Sequence, residues 1–211
     1  RTFVVSADNT NNVEIVLLSK SLKGSFSSAS GATINVSADA SILFPANAIK
    51  NADGTIYTGT VNVYSKYLDP TDAEFITKMP GNLLGLKTDG TENILETFAM
   101  LSVELEDVGG NKLNIADGKE AIISATVPAS LLATAPATIP LWHFDTNTGL
   151  WKEEGNATLT GGKYIGNVRH FLWGTFSVSS DVIQLSFHLV DGNGISFQNK
   201  IFFFHSTTLT G

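Results

Sequence analysis

The side chains of this chain that could do chemistry are few and widely spaced. There are four histidines, His143, His170, His188 and His205, and no cysteine. A disulfide framework and a thiolate metal site are therefore excluded. His143 and His170 flank a Trp-bearing hairpin. His188 and His205 lie on successive predicted strands, where they could meet across a ladder. Two imidazoles fall short of the four ligands of a structural zinc site, and this reading assigns no metal ligand. Asp69, Asp72 and Glu74 cluster around Pro70. Clustered carboxylates suit a hard cation such as calcium, but the spacing fits no calcium loop. Asp69 reads instead as a helix N-cap with Pro70 at the first helical position, and the other carboxylates as solvated charge. Asp191-Gly192-Asn193-Gly194 also invites calcium, yet no Glu follows at the twelfth loop position. A turn between two strands accounts for it.

Catalytic constellations are not found. No G-x-S-x-G elbow accompanies the Ser, His and Asp residues, and no Walker-type phosphate loop or dinucleotide glycine fingerprint occurs. The reading assigns no catalytic residue and no cofactor. Trp142, Phe144 and Trp151 offer two possibilities: a stacking platform for a sugar, or an aromatic core in which Trp142 and Phe144 share a strand face and Trp151 returns beside them. Core is the favoured reading, since cross-strand aromatic pairs stabilise sheets. Asn35-Val36-Ser37 and Asn156-Ala157-Thr158 match the N-glycosylation sequon, a pattern that arises by chance in an Asn- and Ser-rich chain.

The elements that must position these residues are strands. Apolar residues make up 43 % of the 211 and charged residues 16 %, a globular balance. Net charge is −7 with 13 scattered Lys and Arg, which argues against nucleic acid as a partner. No apolar run reaches the roughly 20 residues of a membrane helix. Short β-branched and aromatic runs alternate with turn residues. They predict strands near 2–6, 13–18, 33–37, 41–44, 60–68, 83–87, 94–106, 120–127, 140–145, 150–153, 157–160, 163–169, 174–178, 182–190 and 200–205. Asp53-Gly54, Asp89-Gly90, Gly109-Gly110 and Gly161-Gly162 mark turns. In residues 60–68, Val61, Val63 and Ser65 face one way, and Asn62, Tyr64 and Lys66 the other. Helix is confined to the Asp69 start and a turn or two over Ser130–Thr134. The expected fold is all-β, a sandwich.

Small-residue steps at Lys23–Gly31 and Ser177–Asp181 read as seams around a central unit. Outside it, residues 1–18 carry two strands. Residues 182–211 carry two more, ending in Phe202-Phe203-Phe204. Consecutive Phe residues require cover on both strand faces, which an isolated hairpin does not supply.

The strings SILFPANAIKNADGTIYTGTVNVYSKYLDPTDAEFITKMPGNLLG and TFAMLSVELEDVGGNKLNIADGKEAIISATVPASLLATAPATIPLWHFDTNTGLWKEEGNATL, with the closing VRHF, carry FPANAI, YTG, LDP, MPG and PLW-FD-GLW in order. Over roughly residues 25–175 this resembles bacterial surface proteins of the carboxypeptidase-regulatory-like group. The central part is similar to cartilage intermediate layer protein and, more distantly, to the ZU-type β-sandwich. The resemblance implies residues 1–24 as the final strands of an upstream β-sandwich and linker, 25–178 as a central ZU-like module, and 179–211 as the opening strands of a downstream immunoglobulin-like domain.

It further implies a non-catalytic structural or adhesive module of a secreted or surface-anchored bacterial protein, extracellular or outer-membrane associated. Its expected partners are neighbouring β-sandwich domains or protomers, or a surface glycan or protein. The alternatives are a self-assembling subunit that exchanges β-strands between chains, and a glycan-binding module using Trp142 and Trp151. A glycan-active or proteolytic enzyme ranks last. Some ZU-type domains cut themselves within a His-Phe-Ser string. The matching string here is His170-Phe171-Leu172, without a nucleophile. The Phe171–Leu172 bond is expected to stay intact, with His170 paired to a backbone group.

Overall fold

The computed structural model describes residues 17–181. The strands expected at 2–6, 182–190 and 200–205, most of that at 13–18, His188, His205, the Asp191–Gly194 turn and the Phe202–Phe204 run lie outside these residues. Within them the chain is all-β: β1 (Leu22–Ser27), β2 (Ala32–Asn35), β3 (Ala40–Phe44), β4 (Ile49–Asn51), β5 (Thr60–Leu68), a single-turn helix α1 (Phe75–Lys78), β6 (Leu84–Leu86), β7 (Glu92–Glu106), β8 (Lys112–Ile115), β9 (Ala121–Thr126), β10 (Thr138–Asp145), β11 (Leu150–Thr160), β12 (Lys163–Val168) and β13 (Trp173–Asp181).

The main ladder runs β1-β5-β7-β13-β10-β11-β12-β9-β3-β2, antiparallel throughout, with β4 and β8 paired beside β7. Short β6 joins β7 antiparallel and β11 parallel. The ladder folds over on itself as a sandwich. Phe98 of β7 meets Tyr164 of β12 edge to face at 6.2 Å, and Phe26 of β1 stacks on Phe44 of β3 at 4.8 Å. Between the halves lies the larger core, which includes Ile42, Val61, Val63, Leu101, Ile123, Ile139, Leu141 and Phe176. Each such side chain stabilises the fold by about 1.5–3 kcal/mol when fully buried. The alternation expected of β5 is present: Val61, Val63 and Ser65 are buried, and Asn62, Tyr64 and Lys66 are not. In β7 the run Phe98, Ala99, Met100, Leu101 is buried without a break. That pattern needs cover on both faces.

The second cover is a smaller core of Leu68, Phe75, Met79, Leu95, Met100, Trp142 and Trp151, roofed by α1 and β6. Gly85 makes the roof possible. A Cβ there would lie 2.8 Å from Leu95 Cδ2 and 2.9 Å from Trp142 Cζ3. At the Gly161-Gly162 turn both φ values are positive, +57° and +78°. This is the two-residue hairpin that a right-twisted strand pair favours, and it sets Thr160 opposite Lys163.

Several expectations need correction. Lys23–Gly31, read as a linker, contains most of β1, whose residues pair with β5 despite their small size. The seam at Ser177–Asp181 is the second half of β13, paired with β7 as far as Asp181 and Asn93. Strands 150–153 and 157–160 are one strand that bulges in the middle. Ser130–Thr134 forms turns rather than helix. Asp69 does not cap α1, which starts six residues later with Glu74 at the N-cap position and no side-chain cap.

Candidate functional site

The hairpin of β10 and β11 presents two chemically different faces. On one, Trp142 and Trp151 are fully buried, and Phe144 packs 5.2 Å from Trp151. Each indole N–H has a carbonyl partner: Trp142 Nε1 donates to Ser177 O and Trp151 Nε1 to Asn82 O, both at 2.9 Å. Beside Trp142, Thr97, Thr175 and Ser177 form a buried hydroxyl cluster, with Thr175 Oγ1 donating to the Ala99 carbonyl. These indoles have no exposed face for a sugar, so the glycan platform at Trp142 and Trp151 is ruled out by burial.

The other face carries His143. Pairing of β10 with β11 slips by one residue here: Leu141 sits opposite Gly155 and Trp142 opposite Glu153, which leaves Glu154 as the extra residue of a β-bulge. A bulge bends its strand and re-aims a side chain. The Glu154 carboxylate is only 7 % exposed and lies between two imidazoles. His170, in the loop between β12 and β13, brings Nδ1 to 3.0 Å from Glu154 Oε2. His143 Nδ1 stands 3.8 Å from the same oxygen, is buried, and has no hydrogen-bond partner among the described residues. The two imidazoles stack, with centroids 4.6 Å apart and planes at 29°. One donor atom from each of His143, Glu154 and His170 lies within 4.8 Å of the other two.

The two histidines respond oppositely to this setting. Burial holds the His143 imidazolium below its ordinary range, although Glu154 pulls the other way. The hydrogen bond to Glu154 raises His170, against partial burial. The shared carboxylate thus favours the charged form of His170, while burial disfavours that of His143. At the rim, Lys152 bonds Asp145 at 2.5 Å, and this bond with the Asn147 N–H holds the Asp145 carboxyl well below the carboxylate range. Arg169 and Asn167 both donate to Glu120.

Sequence reading found both histidines but not their meeting, and it did not single out Glu154. The signal for Glu154 was a Glu153-Glu154-Gly155 step inside a strand pattern, where glycine marks a bulge. The expected backbone partner of His170 is replaced by that carboxylate. In the following string Phe171 is buried and the Leu172 carbonyl accepts from Val103 N at 2.8 Å, with no hydroxyl at either residue.

Asp69, Asp72 and Glu74 are engaged in local bonds, and their three carboxylates are not close enough together to share an ion. Asp69 Oδ1 accepts from the Thr71 N–H and hydroxyl, Asp72 Oδ1 from the Glu74 N–H, and Lys78 bridges Asp72 and Glu74 at 2.9 and 2.8 Å. Both sequon asparagines, Asn35 on β2 and Asn156 on β11, are exposed.

The geometry defines an all-β sandwich unit with a small polar cluster at a hairpin bulge. In sequence it is similar to part of several cartilage intermediate layer proteins. It is 30 % identical over 113 residues to cartilage intermediate layer protein 2 of Homo sapiens, which covers 54 % of this chain and 10 % of that protein. Against the Mus musculus protein 2 the figures are 30 % over 133 residues, 63 % and 11 %. Against cartilage intermediate layer protein 1 of Sus scrofa they are 29 % over 116 residues, 53 % and 18 %. The match thus spans less than a fifth of the length of these curated relatives. No family model matches the chain, and no solved structure matches it significantly. Among the described residues no helix is long and apolar enough to cross a membrane.

Proposed function

We propose that the chain is a non-catalytic structural or adhesive module of a secreted or surface-anchored bacterial protein. One observation carries the reading: the likeness to cartilage intermediate layer proteins occupies only 10–18 % of their length, as one module of a long chain would. The all-β sandwich, with Trp142 and Trp151 fully buried in its core, is consistent with a role in holding and presenting surface. On this proposal residues 25–178 are the central ZU-like module, 1–24 complete an upstream sandwich, and 179–211 open an immunoglobulin-like domain. The paired strands of the module extend slightly past both limits, to Leu22 and Asp181. Its partners are then neighbouring domains, with a surface protein beyond them.

The test is location and loss of function in the source cells. Antibody against the sandwich should label intact cells, and brief protease treatment of intact cells should remove the epitope. Deleting the module should reduce attachment to other cells or to a coated surface. An epitope reached only after lysis would overturn the reading.

A further inference from the structure

The bulge on β11 leaves an electrostatic problem that the sandwich itself does not solve. Among the described residues the Glu154 carboxylate, on a side chain 7 % exposed, has a single hydrogen bond, from an imidazole that is itself 56 % exposed. Beside it sits a second imidazole nitrogen, buried and unpartnered. Buried charges and polar atoms are normally satisfied, because leaving them unpaired forfeits the hydration they give up on burial. Protonating both histidines would satisfy the carboxylate, but it would place two stacked imidazolium rings 4.6 Å apart. A divalent cation meets all three demands at once.

Two of the three separations suit one, and all three donor atoms lie within 4.8 Å of one another. Tetrahedral zinc with ligands at 2.0–2.1 Å spaces its donor atoms about 3.3 Å apart, and Glu154 Oε2 lies 3.0 and 3.8 Å from the two Nδ1 atoms. Two imidazoles and one carboxylate favour zinc, and then nickel or copper, over calcium or magnesium, which take oxygen. The three donors come from β10, the bulge of β11 and the β12–β13 loop, so the fold rather than a local loop holds them. Among the described residues this is the one group of three or more such side chains with donor atoms close enough to share an ion. Nearby cations are occupied elsewhere, Lys152 on Asp145 and Arg169 on Glu120.

We propose that His143, Glu154 and His170 form a surface binding site for a divalent transition-metal ion, zinc in the first place, with one coordination position left open. Both histidines line a cleft of about 170 Å³ whose walls are polar at Asn114, Asp145 and Thr146 and aromatic at Phe144, Phe171 and Trp173. The open position would take water, or a donor atom from whatever docks against this edge of the sandwich. The site goes beyond the module reading and stands without it.

The test uses the full untagged chain, stripped with chelator and titrated with zinc chloride and, separately, cobalt chloride. Calorimetry should find one ion per chain at this site, and cobalt should develop the visible bands of a four-coordinate centre. His170→Ala, at an exposed loop position that leaves the fold intact, should weaken zinc binding at least about tenfold, the lower range even for loss of an outer partner of a ligand. Glu154→Gln should do the same. His188→Gln with His205→Gln should bind zinc as the parent chain does. Absence of zinc binding would overturn the proposal. So would binding that survives His170→Ala and Glu154→Gln but is lost with His188 and His205.

Discussion

Two regions of this molecule find partners for their carboxylates, and they do so in opposite ways. The turn before α1 holds Asp69, Asp72 and Glu74 within six residues of sequence, the first half-buried and the other two exposed, bonded to their own backbone and to Lys78. The β11 bulge brings in only Glu154, but its side chain is 7 % exposed and meets imidazoles from 11 residues before it and 16 residues after it. The first cluster is a consequence of turn chemistry, in which Asp side chains accept from the backbone two residues on. The second exists only because three elements converge. Proximity along the chain therefore marks the cluster whose charges are already paired. What decides is whether each charged group has already found its partner locally.

The largest effect that would break this contrast concerns the floor beneath the bulge. Trp151→Ala removes a fully buried indole and leaves the Asn82 carbonyl without its donor. A loss of about 3–5 kcal/mol is expected, a large share of the 5–15 kcal/mol of a typical domain. Chemical denaturation checks it. A variant that melts like the parent would show that the hairpin does not depend on its aromatic face, and that the polar face above it is not rigidly held.

Next is Gly85→Ala, about 1–3 kcal/mol destabilising by overpacking. The new methyl meets Leu95 and Trp142 at under 3 Å, and β6 has to lift off the second core. Comparing its thermal midpoint with that of Gly54→Ala separates crowding from backbone strain, since Gly54 has open space around it but a φ of +89°. If Gly85→Ala proves neutral, the roof over Trp142 is loose.

A smaller effect sharpens the contrast directly. Calcium added to chelator-stripped protein should leave the melting temperature unchanged, and Asp69→Ala with Asp72→Ala should not alter that response. A ligand specific for the folded state at 100 times its dissociation constant adds about 2.7 kcal/mol, so a real calcium site would be plain. A calcium-dependent rise abolished by the double variant would reverse the ranking of the two regions.

Much of the fold was legible because strand periodicity and Gly-containing turns are local signals. The alternation of Val61 and Val63, the Gly161-Gly162 hairpin and the burial of Trp142 and Trp151 all follow from short-range pattern. Three features did not show. β1 is built from KGSF, residues that read as linker, and is a strand because β5 offers it an edge. β4 and β8 are short and pair with each other across more than 60 residues of chain. The bulge at Glu154 depends on a one-residue slip against β10, which no count along β11 alone reveals. His143 and His170 were visible as residues, but their stacking is set by the β12–β13 loop.

The finest test is the pH response of the acidic turn. The Asp72 carboxyl is held below its ordinary value, first by the Glu74 N–H and then by Lys78. A carboxylate depressed in the folded state contributes stability that is present above its unfolded value of 3.8 and is lost as pH falls through the lower folded value. Asp72→Asn keeps an oxygen for the Glu74 N–H but removes the charge. The difference in stability between parent and Asp72→Asn should therefore be small and constant near neutrality, and should close only below pH 3.8. Salt should shrink the same difference, since the pair is exposed and screened. Urea melts across this range provide the measurement. A gap that widens in acid, or one that salt leaves untouched, would mean that Asp72 is engaged with something other than its own turn and Lys78, and the acidic cluster would then need the kind of explanation reserved here for Glu154.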